Sequence, residues 1–175
     1  MEGAGGPRCG PRRRRAVPGR QHAAVLATPA AGRAPERPGA WTCPDCHRRF
    51  GRHRQSHDCA PALSFEEYFS TGPAFERPIF EVVRAHVEAL GHSEIEAVSV
   101  GIFFKRSRSF AQLRPMQRWV ALSFSLPRVV RHRLITRRVI PYGTHFHHVA
   151  NLRTPEDVDD ELLGFLTEAY LDAAP

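Results

Sequence analysis

Cysteine and histidine crowd one short stretch of this chain. Cys43, Cys46, His53, His57 and Cys59 fall within 17 positions, and Cys9 stands far from them. Thiolate and imidazole are the donors that hold zinc tetrahedrally in structural sites. Cys43-Pro44-Asp45-Cys46 has the spacing of a tight knuckle that turns two thiolates toward one point, and Phe50 follows where an aromatic can cover it. The second ligand pair has two solutions. His53 with His57 leaves six residues after Cys46, against about twelve in a standard finger. His57 with Cys59 leaves ten and uses all three clustered cysteines. The expected set is therefore Cys43, Cys46, His57 and Cys59 around a structural Zn²⁺, with His53 or His47 as substitutes. A disulfide framework would need a secreted context and an even cysteine count in the ordered part, and neither is evident.

The second chemical signal is charge. Residues 101–150 hold Lys105 and Arg106, Arg108, Arg114, Arg118, Arg128, Arg131, Arg133, Arg137 and Arg138, with no Asp or Glu. Phe103, Phe104, Phe110, Trp119 and Tyr142 are interleaved with them. Guanidinium groups bind phosphates bidentately and stack on bases. Arg106, Arg108, Arg114, Arg118 and Trp119 are the expected nucleic-acid contacts, to DNA or RNA. The competing reading pairs this stretch with acids near the C-terminus: Glu156, Asp157, Asp159, Asp160, Glu161, Glu168 and Asp172. On that reading the protein is a protein- or small-ligand-interaction domain and the zinc is purely structural.

His145 and His147 would share one strand face beside His148, which makes an acid–base or metal site conceivable. The plainer reading is of partly exposed strand histidines. No catalytic constellation stands out, and no enzymatic activity is assigned. A metal-dependent nuclease is disfavoured, because it needs clustered carboxylates and none occurs between Glu96 and Glu156. Phosphate-loop, dinucleotide and nucleophile-elbow motifs are absent.

The elements that must position these residues follow from periodicity. Residues 1–40, rich in Arg, Pro, Gly and Ala, are expected to be a disordered tail, since they cannot bury enough apolar area to offset ordering. Residues 41–59 form the zinc-binding module, and 63–175 the larger domain. Phe65 to Phe69 suit a helical turn. Ile79, Phe80, Val83, Val87 and Leu90 repeat at helical spacing before Gly91. Residues 95–100, 102–104 and 110–113 read as strands. Val120, Leu122, Phe124 and Leu126 alternate with small residues, the clearest strand signal. Residues 127–143 are ambiguous, with Pro127, Pro141 and Gly143 as breaks, and 145–152 suit another strand. Thr154, Pro155 and Asp157 have the pattern of a helix start, with Val158, Leu162, Phe165, Leu166 and Ala169 as the buried stripe. Helices at both ends and strands between predict a two-layer α+β fold with an antiparallel sheet.

Trp41-Thr42-Cys43-Pro44-Asp45-Cys46, Arg48-Arg49-Phe50 and Gln55-Ser56-His57-Asp58-Cys59 resemble the zinc-ribbon-like prefix of bacterial proteins of the domain of unknown function 5655 family. The resemblance continues through Phe110 to Pro115, Val120 to Leu126, His147-His148-Val149 and Asp157 to Tyr170. In that family a glycine commonly follows the second cysteine, where this chain has His47. The resemblance implies no particular activity. Attachment of related domains to restriction-system components implies a link to nucleic acid. Lys105 is the only lysine among 25 basic residues, a bias that suggests a GC-rich bacterial genome. No run approaches the roughly 18 apolar residues of a membrane span, and a cytoplasmic location is expected.

Overall fold

A computed structural model describes residues 41–51 and 53–174. The expected tail and Cys9 lie outside the described residues. Two short strands, β1 (Trp41–Thr42) and β2 (Arg49–Phe50), pair antiparallel around the cysteine knuckle. Two helices follow, α1 (Phe65–Thr71) and α2 (Glu76–Leu90). Strands β3 (Glu94–Val98), β4 (Gly101–Lys105), β5 (Ser109–Pro115), β6 (Val120–Leu126), β7 (Ile140–Tyr142) and β8 (His145–Leu152) come next, and α3 (Asp160–Asp172) closes the fold. The six strands form one antiparallel sheet in the order β3-β4-β5-β6-β8-β7.

The period-2 alternation of β6 decides which face is core. Val120, Leu122, Phe124 and Leu126 are buried against α3, while Ser123 and Ser125 turn to the other face. Their partners on β8 follow suit: Leu152, Ala150, His148 and Phe146 lie opposite them. Ile79, Phe80, Val83 and Val87 of α2 and Leu162, Leu166, Ala169 and Tyr170 of α3 complete that core. Phe65 and Phe69 of α1 pack on Phe80, with ring centroids 5.0 and 5.2 Å away. All three helices thus share one face of the sheet, and the molecule is the expected two-layer α+β fold.

Local chemistry explains the element ends. Ser64 and Glu67 cap α1 reciprocally. Gly91 ends α2 at φ 129°, and a Cβ there would sit 2.9 Å from the Tyr170 hydroxyl. Gly101 opens β4 at φ 143°, where a Cβ would lie 2.2 Å from the Leu113 carbonyl oxygen, so only glycine fits. Ser99 and Val100, expected within a strand, instead make the β3–β4 turn. One other expectation needs correction. The capping pattern at Thr154 and Asp157 closes a short 3₁₀ turn, Pro155–Asp157, rather than opening the long helix. Val158 leaves helical geometry at ψ 72°, and Asp159 caps α3 afresh through the backbone N–H of Leu162. Within 127–143 lies an edge strand, β7, where Pro141 is tolerated because an outer edge needs no donor. Among the described residues no helix is long and apolar enough to cross a membrane.

Candidate metal centre and the open face of the sheet

The knuckle is made by two backbone bonds. The N–H of His47 donates to Cys43 O at 2.9 Å, and that of Cys43 to Arg48 O at 3.0 Å. The turn places His47 at φ 58°, the left-handed region that favours glycine. The expected ligands converge: Cys43, Cys46, His57 and Cys59 bring one donor atom each to within 4.8 Å of one another. His53 is exposed, with its ring edge-on to Trp41 at 5.9 Å, and His47 is exposed as well; neither belongs to the group.

Two of the separations match those around a tetrahedral ion. Cys43 Sγ and Cys59 Sγ are 3.7 Å apart. Metal–sulfur bonds of about 2.3 Å at tetrahedral angles place two thiolates roughly 3.8 Å apart, whereas a disulfide needs about 2.05 Å. Cys46 Sγ lies 3.4 Å from His57 Nε2, where the same geometry gives roughly 3.6 Å. His57 Nδ1 donates to the Gln55 carbonyl at 2.7 Å, since a carbonyl can only accept. That bond leaves Nε2 as the lone-pair nitrogen facing the thiols, the usual outer support of a metal-bound imidazole. Hydrogen bonding from the Cys46 backbone outweighs burial and, with the Asp45 backbone and the neighbouring thiols, brings the Cys43 thiol down to about 6. The thiolate is the form that binds metal. The residues present therefore fit a structural metal ion.

The module is fastened to the sheet. Arg48, beside the knuckle, donates Nε and an Nη to the two carboxylate oxygens of Glu96 on β3, at 3.0 and 3.1 Å. Lys105 Nζ reaches the same carboxylate at 2.5 Å. Burial pushes the Glu96 carboxyl up, but the hydrogen bonds from Arg48 and Lys105 outweigh it and hold the group below its ordinary value. Phe50 packs against His57 at a tilt of 36° with centroids 4.1 Å apart, under Arg48 and Lys105 at 5.4 and 5.9 Å. The metal ligands are thus linked to the sheet through one ring and one buried carboxylate. The basic and acidic residues lie 48 positions apart, so no spacing rule could have paired them.

The face of the sheet opposite the helices is open between this module and β7. A cleft of about 630 Å³ lies there, lined by Phe50, Lys105, Arg106, Arg108, Tyr142 and His145 among others, with Glu94 its single lining carboxylate. It continues over Gln112, Ser123, Ser125 and His147 toward Ile140, and on the module side over Phe103.

The five expected nucleic-acid contacts do not form one surface. Arg106 lies 4.0 Å over the Tyr170 ring and donates to the Tyr170 carbonyl at 3.0 Å. Arg108 pairs with Asp172 and donates to the Asp172 carbonyl at 3.0 Å. Ser107 between them donates to the Ala173 carbonyl at 2.7 Å. This turn therefore satisfies the terminal carbonyls of α3, where cations also oppose the helix dipole. Arg114 and Arg118 are exposed at the other end of β5, roughly 20 Å along the strand. Trp119 is half-buried, and its indole N–H has neither solvent nor a partner among the described residues. Arg128 pairs with Glu168, and Arg133 with Asp157 and Asp159, so much of the basic stretch is balanced locally.

Fold and site together define a two-layer α+β protein with a Cys₃His cluster fastened to one end of its sheet. Its chain belongs to the family described as Domain of unknown function (DUF5655), whose profile matches residues 65–173. No curated protein and no solved structure matches the chain.

Proposed function

We propose that this protein is a zinc-stabilised binding module that lays a single-stranded nucleic acid across the open face of its sheet. The observation that carries the reading is the lining of that face. Aromatic rings (Phe50, Phe103 and Tyr142) surround a floor of Ser109, Gln112, Ser123 and Ser125, with the cation of Arg49 at the module wall, while Lys105 and Arg106 line the cleft already engaged by Glu96 and by Tyr170. Cationic walls track a phosphate backbone, and rings offer stacking faces worth about 1–3 kcal/mol per base. Zinc is the proposed ion because three thiolates and one imidazole at tetrahedral separations suit it best. Its role is structural: with four protein ligands no position remains open for a substrate.

The surface at Arg114 and Arg118 is a separate phosphate contact, with only the half-buried Trp119 ring beside it. The test is a titration of labelled single- and double-stranded DNA and RNA at low salt. Tyr142→Ala and Phe103→Ala should each weaken single-strand binding by about tenfold or more, a loss of one stacking contact. Single strands that bind equally well to both variants would move the site away from this face, and no binding of any nucleic acid would leave the interaction-domain account standing.

A further inference from the structure

Two histidines stand in the groove at neighbouring positions of one strand face. His145 and His147 on β8 are separated by one residue, so their Cα atoms lie roughly 7 Å apart on the same side. His145 is held. Its Nε2 donates to the Asp172 carboxylate at 2.8 Å, and its Nδ1 faces the Thr144 hydroxyl at 3.0 Å. A carboxylate on one nitrogen fixes the orientation of the ring and turns Nδ1 toward Thr144 and the groove. His147 is half-buried, opposite Ser125 and Ile140, and has no hydrogen bond to another described residue. Burial lowers its pKa and favours the neutral ring. Thus two imidazoles share one strand face of the groove, one anchored by a carboxylate and the other with its ring free of any hydrogen bond to a described residue.

We propose that the groove cleaves RNA without a catalytic metal, by transesterification between His147 and His145; this rests on the nucleic-acid reading above. His147 takes the proton of a ribose 2′-hydroxyl, and that oxygen attacks the adjacent phosphorus. The bond from phosphorus to the 5′-oxygen breaks, and the leaving oxygen takes a proton from Nδ1 of the His145 imidazolium. The products are a 2′,3′-cyclic phosphate and a free 5′-hydroxyl. One proton enters and one leaves, and solvent restores the two rings. No water, oxidant or added metal takes part. Arg49 lines the same cleft and opposes the charge that develops on the phosphoryl oxygens. Asp172 is a positioning residue. Arg108 stands 3.3 Å from His145 Nε2 and shares the Asp172 carboxylate with it, while Glu94 is the cleft's own carboxylate.

The experiment uses the full chain as purified, with its metal retained and no divalent cation added. A 5′-labelled unstructured RNA and the DNA of the same sequence are incubated with it, and binding of each is read in parallel by anisotropy. Both strands should bind, and only the RNA should be cut, to fragments ending in 2′,3′-cyclic phosphate. At saturating RNA, His145→Gln and His147→Gln should each lower the single-turnover rate by about 10²-fold or more. The wild-type rate should show the bell-shaped pH profile of a paired acid and base, and Asp172→Asn should lower the single-turnover rate with RNA affinity unchanged, while Asp172→Glu restores it, because the ring loses and regains its anchor. RNA and DNA both bound with the RNA left intact would overturn this inference and spare the binding reading. Cleavage that persists at the wild-type rate in the double histidine variant would overturn it too. Absence of binding to either strand would remove both.

Discussion

At the residue scale, the metal centre is the best-defined chemistry in the molecule. Protein purified without chelator should carry about one equivalent of zinc by elemental analysis. Cys43→Ser should lose it, and so should His57→Ala with Cys59→Ser, while His53→Ala should keep it, because His53 stands outside the ligand group. Retention of stoichiometric metal in a Cys43→Ser, Cys46→Ser double variant would refute the site. His47→Gly should gain about 0.5–1 kcal/mol in thermal stability by relieving the left-handed backbone at φ 58°. Glu96 is the second residue of consequence. Arg48→Ala leaves a buried carboxylate with Lys105 alone, and loss of one partner of such a pair costs about 3–5 kcal/mol. The pH dependence has a definite sign. Glu96 is depressed in the folded state, so its contribution is present above the ordinary carboxylate range and is lost as pH falls through the folded value. Glu96→Gln should therefore flatten the acid limb of a melting-temperature profile, and an unchanged limb would dissociate Glu96 from acid stability.

At the element scale, β6 and the β4–β5 turn do most to organise the fold. Leu122 and Phe124 are essentially inaccessible, and Leu122→Ala or Phe124→Ala should cost about 2–5 kcal/mol in denaturant unfolding. Ser123→Ala, on the open face of the same strand, should change little. The β4–β5 turn ends α3 rather than presenting a free basic surface. Arg108→Ala should fray the last turn of α3, seen as faster amide exchange around Tyr170 to Asp172, with at most about 1 kcal/mol lost overall because the pair is partly exposed. An exchange pattern unchanged at that helix end would show that the turn does not hold it.

For the whole molecule, the distribution of charge matters more than its sum. The chain carries +7, yet residues 41–175 hold 17 basic against 16 acidic side chains, so nearly all of the excess belongs to residues 1–40. Long-range attraction of a polyanion should therefore come mainly from that N-terminal part, and local contacts in the groove should add to it. Replacing Arg12, Arg13, Arg14 and Arg15 with Ala in the full chain should reduce the salt slope of single-strand binding, each lost phosphate contact lowering its magnitude by about 0.7. Tyr142→Ala should instead weaken binding at every salt concentration alike. A slope indifferent to the four arginines would place the electrostatic contacts on the folded part.

Short-range rules made the Cys/His cluster and the main elements legible from the residues alone. The ligands lie within 17 positions, and a knuckle followed by His-x-Cys has few other uses. The alternation of Val120 to Leu126 and the helical spacing of Ile79 to Val87 express burial directly, because burial has the period of the element. Charge has no such period, and its partners are chosen by the fold. Arg48 meets Glu96 across 48 positions, Arg106 meets Tyr170 across 64, and His145 meets Asp172 across 27. A run of ten cations therefore reads as one basic surface in sequence, while the sheet divides it between the end of α3, the acids flanking that helix and a groove. Only the tertiary structure decides which cations are neutralised, because an ion pair depends on distance in space and the sequence records only distance along the chain.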